Sequence, residues 1–369
     1  MYLERLAVTG LRNLDAVDIQ LSPGANFFHG RNGSGKTSIL EAVYLLSRGR
    51  SFRTRNLKSV INHERKDCTC FGSLVDPAGI QSPTGIGVSR HLDGNFQFKI
   101  AGEPVRTASQ LSETLPLQLL NSDSFLLLEG SPSHRRRFLD WGVFHVEHEY
   151  RELWSRFQRC LKHRNSLLRH GRMDPLQLAV WDREFIQVSH RIADYRHQYL
   201  EQFQPVFRET CSSLGVDTSL SMAISAGWDQ QRSLEDVLSE GLERDRKAGH
   251  TLSGPHRADI RLQVGGKLAA EILSRGQAKM LVTALKIAQG IFLQQVRGKK
   301  CLYLLDDLPA ELDANHRQRV GNLLDALGLQ VLMTGVDEAD IRASWPDTPS
   351  GGVAVNMFHV EQGRRAGHG

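Results

Sequence analysis

The sequence contains no run of about 18 apolar residues, so no membrane-spanning helix is expected. Met1-Tyr2-Leu3-Glu4-Arg5 carries an acid and no apolar stretch, so no secretory signal is expected and the cytoplasm is the default location. Cysteine is scarce. The five, Cys68, Cys70, Cys160, Cys211 and Cys301, are an odd number in a 369-residue chain, which argues against a disulfide framework. Cys68 and Cys70 with nearby His63 would make half a metal site, but no second half follows at a suitable spacing, and thiols are the better reading. A second acidic cluster suited to two metals is also missing, which leaves a nuclease without support. What remains is ordinary globular composition, 40% hydrophobic and 24% charged, long enough for one large or two ordinary domains. A net charge of +5 permits contact with nucleic acid without requiring it.

The chain is organised around Asn26 to Glu41. Gly30-Arg31-Asn32-Gly33-Ser34-Gly35-Lys36-Thr37 fits G-x-x-x-x-G-K-[ST], the phosphate-binding loop. Its glycines let backbone N–H groups turn inward and approach a phosphate. Lys36 places an ammonium near the β- and γ-phosphates, and Thr37 offers a hydroxyl to Mg²⁺. Asn26-Phe27-Phe28 reads as the end of a strand. Ile39, Ala42, Val43 and Leu46 give the following segment a helical period.

Residues 1 to 25 read as a hairpin of strands, and 60 to 120 as an added antiparallel sheet with a tight turn at Asp93-Gly94. Between them, Arg48-Gly49-Arg50-Ser51-Phe52-Arg53-Thr54-Arg55 is either a phosphate contact or a solvated basic loop. Ser133 is placed to cap a helix from His134. Arg135, Arg136 and Arg137 cannot share one helix face, because neighbours sit about 100° apart, so at least one should point toward another element, a partner or a ligand. From there to Ser213 the chain reads helical, broken by Gly171 to Pro175 into an antiparallel hairpin. Trp154, Phe157, Leu161, Leu167 and Leu168 form one seam; Leu178, Trp181, Phe185, Val188 and Ile192 form the other. Arg151, Arg156, Arg159, Lys162, Arg164, Arg169 and Arg172 read as a solvated face or as a nucleic-acid or partner surface. Residues 244 to 250 read as an exposed linker, after which alternating Ile260, Leu262 and Val264 suggest that the chain re-enters the first domain.

Two later stretches complete a site. Leu302-Tyr303-Leu304-Leu305-Asp306-Asp307 is an apolar strand delivering acids to its C-terminal end, where ligands bind in parallel sheets. Asp306 would hold Mg²⁺, directly or through water, and Asp307 would polarise an attacking water. Leu273-Ser274-Arg275-Gly276-Gln277 leads into a helix whose N-terminus favours a phosphate.

Phosphate loop, LSxGQ signature, acidic strand and the Glu311-Leu312-Asp313 loop, in that order, resemble the ABC-type ATPase head, and the large insertion is similar to its SMC-like branch. The chain resembles the RecF family of DNA replication and repair proteins most closely. The stretches Gly30 to Thr37, Glu129 to Asp140, Ser253-Gly254-Pro255-His256-Arg257-Ala258-Asp259 and Leu304 to Asp313 carry the likeness. The resemblance implies an α/β ABC-type ATPase head, 1–130 with 250–369, split by an all-helical lobe at 131–249 that contains a short helical hairpin. It implies ATP and Mg²⁺ as cofactors, with Gly30 to Thr37 and Gln277 holding nucleotide. It also implies an ATP-dependent homodimer in which Ser274 acts in trans on ATP held by Lys36, with slow, DNA-dependent hydrolysis as a switch. The implied partners are single- and double-stranded DNA at junctions or gaps, RecR and RecO; the implied roles are loading of the recombinase, replication restart and the SOS response, in a nucleoid-associated cytoplasmic protein. Candidate DNA contacts are Arg48, Arg50, Arg53, Arg55, Arg135, Arg136 and Arg137. Three departures stand out. Ser122 replaces a common proline in Asn121-Ser122-Asp123. Thr334 follows Val331-Leu332-Met333 where transporter ATPases carry histidine. Asp307 replaces their glutamate. The runner-up readings are a transporter ATPase subunit, a P-loop kinase acting on a small metabolite and a non-hydrolysing SMC-like structural protein.

Overall fold

The structure, a computed structural model, describes residues 1–80, 82–169, 175–216, 219–352, 355–361 and 364–365. In chain order it runs β1 (Tyr2–Leu11), β2 (Leu14–Gln20), β3 (Ala25–His29), α1 (Lys36–Arg48), β4 (Asp67–Val75), β5 (Thr84–His91), β6 (Phe96–Ile100), β7 (Glu103–Val105), α2 (Ala108–Thr114) and β8 (Leu117–Leu120). Then come α3 (Leu126–Glu129), α4 (Pro132–Val146), α5 (Tyr150–Arg169), α6 (Pro175–Leu214), β9 (Leu220–Ser225), α7 (Leu234–Ala248), β10 (Asp259–Val264), β11 (Lys267–Leu268), α8 (Ala269–Ile272) and α9 (Arg275–Arg297). The chain closes with β12 (Leu302–Leu305), α10 (Leu308–Glu311), α11 (Ala314–Ala326), β13 (Val331–Gly335), α12 (Glu338–Arg342), β14 (Asn356–Glu361) and β15 (Arg364–Arg365).

The first compact unit comprises Met1–Ser124, Thr210–Val216 and Lys279–Gly369. It contains two sheets. One has the order β15-β14-β3-β13-β12-β8, parallel from β14 through β8. Strands covered on both faces need no alternation, which is why Ala25 to Phe28, Leu302 to Leu305 and Val331 to Gly335 are buried without a break. The other sheet is antiparallel, β2-β1-β4-β5-β6-β7, and its alternating burial marks one covered face. Helix α1 packs its apolar residues into the same core as Leu3, Leu6 and Val8 of β1, Ile86 and Val88 of β5, and Leu304 and Leu332 of the parallel sheet. The expected Asp93-Gly94 turn joins β5 to β6, with Asp93 Oδ1 accepting from Asn95 N at 2.8 Å. Cys68 and Cys70 are inner-face residues of β4; burial pushes the Cys68 thiol up to about 11. After β14, the short strand β15 pairs Arg364 and Arg365 with Glu361 and Val360; 366–369 lie outside the described residues.

The second unit comprises Phe125–Glu209 and Asp217–Ala278. It is not all-helical, because β11-β10-β9 form a three-stranded antiparallel sheet. That pairing also moves the boundary. Residues 250–278, expected to rejoin the first unit, stay here because β10 pairs with β9 along its whole length, and the return to the first unit falls inside α9. The linker expected at 244–250 is the end of α7, capped by Ser233 Oγ accepting from Asp236 N at 3.0 Å and closed by Gly249 at φ 68°. Helix α4 starts at Pro132 with Ser131 as its N-cap residue, two positions before the expected Ser133 cap.

The hairpin of α5 and α6 buries Phe157, Leu168, Leu178, Phe185, Val188 and Ile192 as expected, with the Phe157 and Phe185 rings 5.3 Å apart. Trp154, Leu161, Leu167 and Trp181 are only partly buried. Gly171 to Asp174, the expected turn, and Arg172 lie outside the described residues. Arg164 corrects the solvated-face reading. Its side chain is 0% exposed and donates to Asp182 at 2.7 Å, Asp245 at 2.6 Å and Thr251 at 2.9 Å. The arginine run conceals it, since only tertiary packing selects which position on α5 turns inward. Arg164→Met is expected to cost about 3–5 kcal/mol in urea unfolding, because it leaves the buried Asp245 without its cation. A loss under about 1 kcal/mol would show the cluster to be structurally neutral.

Candidate nucleotide site

The phosphate loop leaves the end of β3 and enters α1 at Lys36, as the motif requires. Gly30 has φ 143°, and a Cβ there would stand 2.4 Å from the Val360 carbonyl oxygen of β14. Gly35 has φ 116°, and a Cβ would meet Leu14 Cδ2 at 2.9 Å, so both positions need glycine. Gly35 supplies no side-chain cap, and the first turn of α1 carries no acid to compete for its N–H groups. Lys36 Nζ donates to the carbonyls of Gly30 at 2.7 Å and Arg31 at 2.9 Å. Burial lowers its pKa, opposed by Asp307 and Asp306. Ser34 Oγ is buried and has no hydrogen-bond partner, while Arg31, Asn32 and Gly33 form an exposed rim. An unpartnered hydroxyl, an ammonium held by loop carbonyls and an uncapped helix start suit a polyphosphate.

The acids meet this loop. Thr37 Oγ1 donates to Asp306 Oδ1 at 3.0 Å, and Thr334 Oγ1 donates to the same oxygen at 2.8 Å. Thr334 Oγ1 also accepts from Asp307 N at 2.9 Å, and Asp306 N donates to Leu120 O of β8 at 2.9 Å. One hydroxyl and one carboxylate are an oxygen pair suited to Mg²⁺, which keeps waters and takes its other ligands from substrate phosphates. Asp307 sits at φ 54°, in the left-handed region that non-glycine residues occupy at a cost. Burial raises its pKa, Asp306 adds to the rise, and Lys36 opposes it. Thr334 is a site residue that the sequence reading noted only as a missing histidine. Its signal was a lone polar side chain ending the apolar run of β13.

Ser274 and Gln277 belong to the second unit, at the start of α9. They form a reciprocal cap: Ser274 Oγ accepts from Gln277 N at 3.3 Å, and Gln277 Oε1 accepts from Ser274 N at 2.9 Å. Residues 274 to 277 are all exposed. In the first unit, Lys279 Nζ reaches Glu311 Oε2 at 2.7 Å, and Asp313 caps α11 by accepting from His316 N at 3.0 Å. Asn121 Oδ1 accepts from Ser124 N at 3.1 Å, leaving Ser122 and Asp123 exposed.

The arginine candidates divide. Arg50, Arg55 and Arg137 are exposed, and so is Arg53, whose Nη1 lies 3.5 Å from Glu41 Oε2. The other three are engaged inside their units. Arg48 is half-buried and donates to Leu117 O at 3.3 Å. Arg135 donates to both oxygens of Asp259, at 2.7 and 3.1 Å, and to the Gly130 carbonyl at 2.8 Å; Arg136 donates to Ala258 O at 2.7 Å. These bonds offset the clash between basic residues and the α4 N-terminus.

The family model described as the RecF/RecN/SMC N terminal domain matches residues 2–358. A protein of Pseudomonas syringae pv. tomato named DNA replication and repair protein RecF is 50% identical over 365 residues, 99% of this chain and 98% of that one. The chain belongs to the RecF family. The RecF protein of Pseudomonas paraeruginosa is 49% identical, over 99% of this chain and 97% of its own. A solved structure described as the recombination mediator protein RecF-ATP in the RecFOR pathway superposes with a TM-score of 0.85 at 24% identity, over 100% and 98% of the two chains. An Smc head bound to the C-winged helix domain of ScpA superposes with a TM-score of 0.58 at 16% identity, over 99% and 96%. The fold is therefore that of the RecF and Smc ABC-type ATPase head, and a RecF-family member has no call for the transporter reading.

Thr334→Val removes the donor to Asp306 and the acceptor for Asp307 N. It is expected to lower Mg²⁺-dependent nucleotide turnover about 10–100-fold, with Thr334→Ser restoring most of it, measured by phosphate release across a Mg²⁺ titration. Unchanged Mg²⁺ dependence in Thr334→Val would remove Thr334 from the site.

Proposed function

We propose that this chain is an ATP-switched DNA-binding protein of replication and recombinational repair. The observation that carries the reading is the meeting of Lys36, Thr37, Asp306 and Asp307 in one unit, together with an exposed signature cap at Ser274 and Gln277. The names of the relatives, DNA replication and repair protein, support the biological setting, and the RecF-ATP structure of the RecFOR pathway supports ATP as the nucleotide.

In this reading Gly30 to Thr37 hold the phosphates, Lys36 neutralises their charge, and Thr37 with Asp306 holds Mg²⁺. Bound Mg²⁺ would offset the charge of the terminal phosphates. Asp307 orients water and takes its proton; its raised pKa brings it nearer the working pH as a base. A glutamate would reach one methylene further, so turnover is slow and serves as a switch. Ser274 of a second copy meets the nucleotide held by Lys36, which makes the homodimer ATP-dependent. Arg50, Arg53, Arg55 and Arg137 contact DNA phosphates at junctions or gaps with little sequence preference. RecR and RecO are the partners, recombinase loading, replication restart and the SOS response are the outcomes, and the nucleoid in the cytoplasm is the location.

Sedimentation tests the switch. ATP is expected to dimerise the wild type, Lys36→Met to abolish nucleotide binding, and Ser274→Arg to bind ATP yet stay monomeric. Normal dimerisation of Ser274→Arg would overturn the composite site. Asp307→Asn is expected to retain ATP binding while slowing phosphate release about 100-fold or more. For DNA, log affinity should fall linearly with log salt, and each alanine at Arg50, Arg53, Arg55 or Arg137 should flatten the slope by about one unit. Affinity that is indifferent to salt would remove DNA phosphates as the ligand.

A further inference from the structure

Beside the phosphate loop lies a polar arrangement centred on a buried acid of α1. Glu41 stands one helical turn beyond Thr37 on α1, and its side chain is 0% exposed. A carboxylate removed from water needs cations and donors. Arg12 supplies two, Nε to Oε2 at 3.0 Å and Nη2 to Oε1 at 2.9 Å. Ser51 donates its hydroxyl to Oε1, and Arg53 Nη1 lies 3.5 Å from Oε2. Ser51 Oγ in turn accepts from the backbone N–H groups of Arg53 at 2.9 Å and Thr54 at 3.2 Å. The buried acid thus ties the start of the basic loop to the helix that carries Lys36 and Thr37.

Arg12 and the next residue, Asn13, form the turn between β1 and β2. Arg12 is held at φ 53°, a left-handed conformation unusual for a non-glycine residue, and its Nη1 donates to Ser59 O at 2.7 Å. Asn13 reaches the other way. Its Nδ2 donates to Gly33 O at 3.0 Å, and its Oδ1 accepts from Ser38 Oγ at 3.0 Å. Two adjacent residues therefore grip the phosphate loop on one side and the anchor of the basic loop on the other. A phosphate drawn into the loop acts on its peptide groups. The Gly33 peptide is one of these, and Asn13 holds its carbonyl.

We infer that the Arg12–Asn13 turn and Glu41 are a positioning relay, which sets Arg50, Arg53 and Arg55 against a phosphodiester backbone according to the state of the phosphate loop. The inference rests on the proposed reading that the basic loop contacts DNA. In this relay Asn13 acts through the Gly33 carbonyl and Ser38, and Arg12 and Glu41 act through Ser51 and Arg53.

The test uses the full chain, a fluorescent gapped duplex and anisotropy, with and without Mg²⁺-ATP; a fluorescent ATP analogue reports nucleotide binding separately. In the wild type, ATP is expected to tighten DNA binding about fivefold or more. In Asn13→Ala and Glu41→Gln, nucleotide binding persists while ATP changes DNA affinity by less than about twofold. Asn13 is exposed, so Asn13→Ala carries the test even if Glu41→Gln unfolds. A full ATP effect in Asn13→Ala overturns the relay and leaves the DNA reading standing. Loss of nucleotide binding in Asn13→Ala also overturns it, by making Asn13 part of the nucleotide site. A wild type that does not bind the duplex at all overturns the reading beneath it.

Discussion

A single carboxylate oxygen joins the elements of the head. Asp306 Oδ1 accepts from Thr37 on the phosphate-loop helix and from Thr334 at the end of β13, while Asp306 N bonds to β8. Four segments far apart in sequence converge there because the parallel strands β3, β13, β12 and β8 all end at the same edge. The carboxylate is positioned only if the register of that sheet is correct. The apolar strands, buried on both faces, leave little freedom for it to slip.

The second unit relies instead on a few arginines with directed partners, Arg164 and Arg196 among them fully buried. Arg196 is 1% exposed and binds Asp140 on α4, at 2.9 and 2.7 Å, and the Pro255 carbonyl at 2.8 Å. Arg135 and Arg136 join the same segment through Asp259 and Ala258, and Arg164 joins α5 to α6 and α7. Guanidinium groups suit this work, since each offers a rigid fork of donors able to satisfy several acceptors at once. The stretch from Ser253 to Asp259, which helps define the family likeness, is thus held largely by arginines from other elements. It contains His256, whose Nε2 lies 2.9 Å from Thr251 O and whose pKa burial lowers to about 4, so that ring is neutral near pH 7.

The arginine-rich stretches show how charge in sequence misleads. Arg48 and Arg164 sit in basic runs that read equally well as solvated, yet each is engaged with a carbonyl or carboxylate contributed from a distant position, while Arg135 and Arg136 turn toward another element as three successive arginines require of at least one. Arg50, Arg55 and Arg137, their neighbours in sequence, are exposed. A sequence lists charges without saying where their counterions are, and the counterion decides whether an arginine is structural or available.

The sequence by itself determined the local chemistry: a strand, a glycine-bearing loop and a helix presenting Lys36 and Thr37, and an apolar strand ending in Asp306 and Asp307. Such features follow from short-range backbone conformation and from the period of apolar residues. It also determined the β5–β6 turn and the apolar seam of the helical hairpin. Tertiary structure decided the rest. It recruited Thr334 to Asp306, turned Arg164 inward, placed β10 beside β9 so that the second unit extends to Ala278, and set Glu41 between Arg12 and Ser51. These outcomes depend on which distant groups meet once water is excluded, and a buried polar group takes its partners from whatever the packing brings within reach.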